Sequence, residues 1–185
     1  MNLKRAINAK GWLAIPLFIV SLNLLNSGAA ATTSATASLP SQIHAVLNTR
    51  FPGWRILPAA RQCHEPHNET ASVVRGDFNG DGRPDFGVRL IQRNRAAIVV
   101  LVSSRVGWNT IVNGGGGVDG DPYLIASSQL GIQRRGSRVP TLGDGGGSGP
   151  TVHLRNDALI GGECEVSSTI EIYENGRFRT LVTSD

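Results

Sequence analysis

Lysine is almost missing from this chain of 185 residues. The two lysines, Lys4 and Lys10, both lie near the N-terminus. Beyond residue 31 the positive charge comes from fifteen arginines, which are scattered along the chain and nearly balanced by fourteen acidic residues. The formal net charge of +4 for the whole chain therefore falls to +1 for residues 32–185. Because no dense basic run is present, the composition argues against nucleic acid or an acidic lipid surface as a partner.

Other compositional signatures are missing as well. Charged residues make up only 17% of the chain and hydrophobic residues 40%, a balance that argues against intrinsic disorder. No heptad pattern or collagen-type repeat is present, which excludes those fibrous classes. What remains is a globular chain with room for one domain after its N-terminal segment.

That N-terminal segment has the layout of an export signal. A positive region that ends at Lys10 precedes an interrupted apolar stretch at residues 12–25, and small residues follow at Ala29-Ala30-Ala31. A membrane anchor is the weaker interpretation, because a spanning helix needs about 20 apolar residues. We therefore expect a signal peptide at 1–31, a flexible tail at 32–38 and a single β-rich domain at 39–185. Export to the periplasm or the medium follows, with no stable membrane span after cleavage.

The chain has two cysteines, Cys63 and Cys164. In an oxidising compartment an even pair typically forms a disulfide. The bridge would close a loop of 102 residues, which chain-entropy arguments value at about 4–5 kcal/mol of stability. Metal ligation is the alternative, since Cys63 is followed by His64, Glu65 and His67, but the second ligand pair of a typical zinc site is absent.

Hydrophobic periodicity predicts a mainly β (α+β) fold. Residues 40–50 read as one short N-terminal helix, with apolar residues at Ile43, Val46 and Leu47. Strands are predicted at 72–75, 86–92, 96–103, 107–112, 151–155, 167–173 and 177–183. The run at 96–103 is apolar throughout, which is typical of a central strand buried on both faces. No long helical pattern separates the strands, so an antiparallel sheet is expected.

One motif carries chemistry, and it reads D-x-N-x-D-G-x-x-D. Oxygen donors at loop positions 1, 3, 5, 7 and 9 turn inward when the chain coils around a cation. Here the predicted ligands are Asp77, Asn79, Asp81, the main-chain carbonyl of Arg83, and Asp85. Gly82 allows the sharp turn at position 6. Because all the donors are hard oxygens, the predicted ion is Ca²⁺. The alternative is an Asx-rich turn that holds no metal.

The loop departs from an EF-hand, because Val88 stands where a bidentate glutamate is expected and the predicted flanks are strands. About 16 residues, 75–90, form a strand–loop–strand that resembles the calcium loop of FG-GAP and VCBS repeats. Propellers of that kind need several blades, and this chain has one loop. The wider layout is similar to small exported bacterial proteins labelled as containing such repeats. The resemblance implies a bound Ca²⁺ ion and a small β fold, but it implies no activity. If Ca²⁺ binds, we expect a structural role in which it ties the two strands together.

These features together predict an exported, non-enzymatic calcium-binding module that binds a protein or glycan at the cell envelope. Trp54, Trp108 and Tyr123 are candidate contact residues, because aromatic side chains often anchor recognition. Packing in the core is the alternative role for these aromatics. No catalytic residue is predicted.

Two other functions stay open. Small exported disulfide-bonded β proteins also serve as periplasmic or secreted inhibitors of another enzyme, although this rests on analogy of fold alone. A hydrolase would use the loop carboxylates Asp119, Asp121 and Asp144, since paired carboxylates perform acid–base catalysis. No nucleophile elbow or other catalytic context accompanies them.

The disulfide prediction is tested by labelling free thiols in the native exported protein. We expect no reaction at Cys63 or Cys164 until a reductant is added, and a loss of up to about 4–5 kcal/mol of stability on reduction. Two reactive thiols in the native protein would contradict the bridge.

Overall fold

The computed structural model describes residues 39–59, 71–112, 119–143, 145–163 and 166–184. The predicted signal peptide at 1–31 and tail at 32–38 lie outside the described residues. So do Cys63, Cys164 and Asp144. What the sequence predicts for these positions therefore stays a prediction.

The described residues form two helices and eleven strands, and every strand pairing among them is antiparallel. In chain order the elements are α1 (Ser41–Arg50), β1 (Arg55–Ile56), β2 (Val73–Gly76), β3 (Asp85–Gln92), β4 (Arg95–Ser104), β5 (Gly107–Val112), α2 (Pro122–Ser127), β6 (Gly131–Gln133), β7 (Arg138–Leu142), β8 (Ser148–His153), β9 (Ala158–Gly161), β10 (Ser168–Glu174) and β11 (Arg177–Ser184). The predicted mainly β, antiparallel fold class is confirmed at this level.

All seven predicted strands and the N-terminal helix are present, with ends that differ by a few residues. The expectation of one sheet and one helix is corrected. The described strands form a five-stranded, a four-stranded and a two-stranded sheet, and a second helix, α2, follows β5. The additional strands β1, β6, β7 and β9 have two to five residues each, too few to show a clear alternating pattern.

The five-stranded sheet has the order β1-β3-β4-β5, and β2 pairs along the same edge of β3 as β1. Its central strand β4 is buried on both faces, which confirms the prediction from the apolar run. Side chains of β4 point alternately to two clusters: Ala97, Val99 and Leu101 lie in one, and Ile98, Val100 and Val102 in the other.

Helix α1 covers one face of this sheet. Its residues Ile43 and Leu47 are fully buried and four positions apart, so they lie on one helix face. They pack in the same cluster as Phe86 and Val88 of β3. Full burial of each such side chain contributes about 1.5–3 kcal/mol.

The four-stranded sheet, β11-β10-β9-β6, packs toward the opposite face of the five-stranded sheet. Leu159 of β9 and Leu130, just before β6, join the cluster that contains Val100 and Val102 of β4. The hairpin β7–β8 contributes to a third cluster through Val139. The described core therefore has a layer order of helix, sheet and sheet.

One face of β3 points toward the four-stranded sheet and is called its inner face below. It is unusual, because it carries Asp85, Gly87 and Arg89 where a core strand normally places apolar side chains. At Gly87 there is too little space for a side chain. A Cβ atom there would lie 2.8 Å from a methyl carbon of Val74 and 3.2 Å from one of Leu159.

Arg89 is fully buried and has no carboxylate partner in the described structure. Its guanidinium instead donates hydrogen bonds to four main-chain carbonyls, at 2.9, 2.6, 2.9 and 2.5 Å: those of Ala71, Ile125, Ala126 and Ser128. Three of these carbonyls lie at the C-terminal end of α2, where a cation also interacts favourably with the helix dipole. Burial lowers the pKa of Arg89 to about 10, so the side chain stays charged at neutral pH.

We expect Arg89→Met to lower the free energy of unfolding by about 2–4 kcal/mol, because buried carbonyls lose their donors. Urea denaturation followed by circular dichroism measures the change. Arg55→Met is the matched control, since Arg55 is exposed on the same sheet and its loss should cost less than about 0.5 kcal/mol. Equal effects of the two substitutions would contradict the structural role of the buried guanidinium.

Candidate metal site

Residues 77–84 form the loop that joins β2 to β3. The two strands pair antiparallel up to the pair Gly76–Asp85, so the loop closes a hairpin. The strand–loop–strand arrangement expected from the sequence is therefore present around the predicted ligands.

Two glycines allow the tight path of this loop. Gly80 and Gly82 have φ angles of 75° and 79°, in the region that disfavours residues with a Cβ atom. Around Gly82 there is open space, so backbone conformation alone requires the glycine. At Gly80 space is limiting too, because a Cβ atom would lie 2.5 Å from Oδ1 of Asn156.

Asp85 is fully buried and holds the loop to the sheet. Its Oδ2 accepts hydrogen bonds from the main-chain N–H groups of Phe78 at 2.7 Å and Asn79 at 3.3 Å. Its Oδ1 accepts one from the N–H of Ser103 in β4, at 2.7 Å. Burial raises the pKa of the Asp85 carboxyl above its ordinary value of 3.8, and the hydrogen bonds from Ser103, Phe78 and Asn79 oppose that rise.

Asp77 begins the loop and has one satisfied and one unsatisfied carboxylate oxygen. Its Oδ2 accepts a hydrogen bond from the N–H of Gly82 at 3.0 Å, across the turn. Its Oδ1 is buried and accepts no hydrogen bond from any residue that the structure describes. A buried polar atom in this state costs free energy unless a further partner is present.

Asn79 and Asp81 are held in place by hydrogen bonds. The side-chain NH₂ of Asn79 donates to the carbonyl of Ser103 at 2.8 Å, and its Oδ1 accepts from the N–H of Asp81 at 3.0 Å. Oδ1 of Asp81 accepts from the N–H of Arg83 at 2.8 Å. The guanidinium of Arg83 donates to the carbonyl of Ser104 at 3.0 Å, so a metal-ligating role of Arg83 falls to its main-chain carbonyl.

The residues present fit a hard cation, and the fit rests on the buried Oδ1 of Asp77. That atom is an anionic oxygen in need of a partner, and the neighbouring donors are carboxylate, amide and carbonyl oxygens, which suit Ca²⁺. In the described part of the chain, no three Asp, Glu, His or Cys side chains gather into a metal-binding group. The predicted ligand set differs from such a group, because it also includes the side-chain amide of Asn79 and the main-chain carbonyl of Arg83. Asp85 acts chiefly as a positioning residue, because both of its oxygens already accept N–H groups.

Sequence reasoning missed Asp157, which supports the loop from the turn before β9. Its Oδ2 accepts from the N–H of Asp77 at 3.1 Å and from the guanidinium of Arg134 at 3.0 Å, and its Oδ1 accepts from the N–H of Arg135 at 3.0 Å. Burial raises its pKa, but the hydrogen bonds from Arg135 and Asp77, together with the hydrogen bond and charge of Arg134, outweigh burial, and the pKa lies below 3.8. No local motif marks this aspartate, which is 80 residues from Asp77.

The three aromatic residues predicted to contact a partner do not form one cluster beside the loop. Trp54 and Trp108 are half-buried and pack against the core cluster under α1. The indole of Trp54 donates to the side chain of Asn48 at 2.8 Å, and the ring of Trp108 lies 5.9 Å from that of Phe86. Tyr123 is 65% exposed on α2.

The carboxylates that a hydrolase would use lie outside the loop at 77–84. Asp121 is the N-cap of α2, and its Oδ1 accepts from the N–H groups of Tyr123 at 2.7 Å and Leu124 at 3.4 Å. Asp119 is exposed, and Asp144 lies outside the described residues. The position of Asp121 is explained by helix capping, which needs no catalytic role.

In comparisons with known proteins, no family model, curated protein or solved structure matches this chain. The resemblance to FG-GAP and VCBS calcium loops therefore stays a prediction from the motif. Within the described ranges, no helix is long and apolar enough to span a membrane.

The support from Asp157 predicts a pH-dependent stability. Because its folded-state pKa is lower than 3.8, its contribution is complete above 3.8 and is lost as the pH falls through the folded-state value. We expect Asp157→Asn to cost about 2 kcal/mol near neutral pH, with the difference from wild type shrinking as the solution is acidified below about pH 4.

Urea unfolding of both proteins over this pH range measures the difference. Asp119→Asn is the control, since that exposed side chain makes no hydrogen bond with described residues. A difference between wild type and Asp157→Asn that stays constant with pH would contradict the assigned role.

Proposed function

We propose that this protein is an exported, non-enzymatic calcium-binding module in which Ca²⁺ has a structural role in the loop at 77–85. The observation that carries the proposal is the buried Oδ1 of Asp77, which accepts no hydrogen bond within the described structure. A divalent cation would compensate the charge of this oxygen, and the neighbouring carboxylate, amide and carbonyl oxygens could complete its coordination.

Hydrogen bonds that already hold the loop favour such binding. Gly82 fixes one oxygen of Asp77, while Ser103 donates to the side chain of Asp81 through its hydroxyl at 3.3 Å and accepts from Asn79 through its carbonyl. A loop that is ordered beforehand loses less conformational entropy on binding. With a bound cation, the residues expected to supply ligands are Asp77, Asn79, Asp81, the carbonyl of Arg83, and Asp85 directly or through water.

The structural role follows from what the loop touches. Asp85 and Asn79 connect it to β4 through Ser103, and Asp77 connects it to the turn at Asp157. A cation here would therefore strengthen a junction between the two larger sheets, since that turn leads into β9. Its binding would stabilise the folded state by mass action.

The partner is proposed to be a protein or glycan at the cell envelope, with the protein periplasmic or secreted. The export-type N-terminal segment motivates the location. Extracellular calcium modules bind with Kd values on the order of 0.1–1 mM, so such a site would be filled outside the cell.

Calorimetric titration of calcium into the purified protein tests the proposal. We expect saturable one-to-one binding, and an increase in stability of about 1.4–2.7 kcal/mol at a calcium concentration 10 to 100 times Kd. Both effects should disappear in Asp77→Ala/Asp81→Ala.

Asp121→Ala is the matched control. It also removes an aspartate that accepts two N–H groups, and it should lower stability by about 1 kcal/mol while leaving the response to calcium intact. The absence of both heat and thermal shift in wild type at millimolar calcium would overturn the proposal, and the loop would then be an Asx-rich turn.

A further inference from the structure

Two adjoining clefts lie beside the loop, with volumes of about 290 Å³ and about 510 Å³. They share the wall formed by Asp77, Gly82, Arg134 and Asp157. Small-ligand sites are typically about 300–1,000 Å³, so this region has room for one small ligand. Neither cleft has an aromatic side chain in its wall, and recognition here would depend on charge and hydrogen bonds.

Four arginines line this region, hereafter the arginine cleft: Arg75, Arg83, Arg134 and Arg135. Arg75 occupies the one exposed position of β2, and Arg135 lies in the turn between β6 and β7. Neither guanidinium forms a hydrogen bond or an ion pair with the described residues. Arg134 binds Asp157 through one nitrogen, and its side chain remains 67% exposed. The cleft therefore presents several N–H donors that are available to a ligand.

The two carboxylates in the wall differ in how they are compensated. Asp157 accepts three hydrogen bonds, including the charged one from Arg134. Asp77 has only the N–H of Gly82 on one oxygen. Its charge is the main obstacle to an anion in this cleft. The four arginines and two aspartates of the wall give a formal charge of +2. Asp81 and Asp85 of the adjoining loop lower that charge to 0, and a bound divalent cation would raise it to +2.

We propose that the arginine cleft binds a tetrahedral oxyanion, as a sulfate or phosphate group, and that calcium in the adjacent loop strengthens this binding. Arginine suits such a ligand because its planar fork matches the oxygens of sulfate and phosphate. The coupling rests on the proposed function, whereas the cleft itself does not. Linkage is reciprocal, so the anion should increase calcium affinity by the same factor.

Calorimetry with two probes tests the proposal: inorganic sulfate, and glucose 6-phosphate as a phosphate ester. Each is titrated with and without calcium, at an ionic strength matched with sodium chloride. We expect saturable binding that is at least about 5-fold tighter with calcium. Tighter binding of the ester would assign the site to an anionic group carried on a larger molecule. Tighter binding of sulfate would assign it to the free ion, and equal affinities would show that the tetrahedral group alone is recognised.

The double variant Arg75→Gln/Arg135→Gln should weaken anion binding at least about 10-fold. Calcium binding should persist in it, because neither guanidinium forms a hydrogen bond or ion pair with the loop ligands in the described structure. Arg93→Gln is the matched control. Arg93 lies in the turn at the far end of β3 from Asp85, about 26 Å away along an extended strand, and its loss should leave anion binding unchanged.

Different results overturn different parts. Calcium binding without anion binding, or anion binding that the double variant retains, overturns the arginine cleft and leaves the proposed function standing. A wild-type protein that binds no calcium overturns the proposed function and the coupling. Calcium-independent anion binding that the double variant loses would then support the cleft alone.

Discussion

Two fully buried charges of opposite sign lie on the inner face of β3, and main-chain groups satisfy both. Asp85 accepts three N–H groups, and Arg89 donates to four carbonyls. They are four residues apart on an extended strand, about 13 Å, so neither neutralises the other directly. Burial disfavours the charged form of each, as their raised and lowered pKa values indicate. The surrounding backbone must therefore adopt the path that supplies these partners, since a buried unpaired charge costs several kcal/mol.

The candidate metal site depends on this constraint. Asp85 and Asp157 orient the loop by accepting hydrogen bonds from its main-chain N–H groups. Within the loop, a local hydrogen bond from the N–H of Asp81 orients the side-chain oxygen of Asn79. The groups that stabilise the hairpin and the residues of the candidate metal site therefore lie in one loop. Both side-chain oxygens of Asp85 and Asp157 already accept hydrogen bonds. Asp77, whose Oδ1 accepts none within the described structure, also lines the arginine cleft.

Much of the fold was predictable where elements are long. Strand β4 has ten residues with an apolar run that is typical of burial on both faces, and the structure confirms that burial. Helix α2 was missed although Asp121 and Pro122 form a good helix start, because six residues are too few to show helical periodicity. The inner face of β3 was also hard to predict. Its positions Asp85, Gly87 and Arg89 break the apolar alternation, and their partners come from other parts of the chain.

By itself, the sequence determined the hairpin around the loop, the burial of β4 on both faces and the N-terminal helix. These follow from periodicity, from glycine conformation at Gly82 and from the spacing of oxygen side chains, all of which act over a few residues. Only the tertiary structure decided which oxygens are satisfied. Asp157 reaches the loop from 80 residues away, and Ser103 reaches Asp85 from 18. Such contacts depend on how the sheets pack, because hydrogen-bond partners distant in sequence meet only when burial brings their strands together.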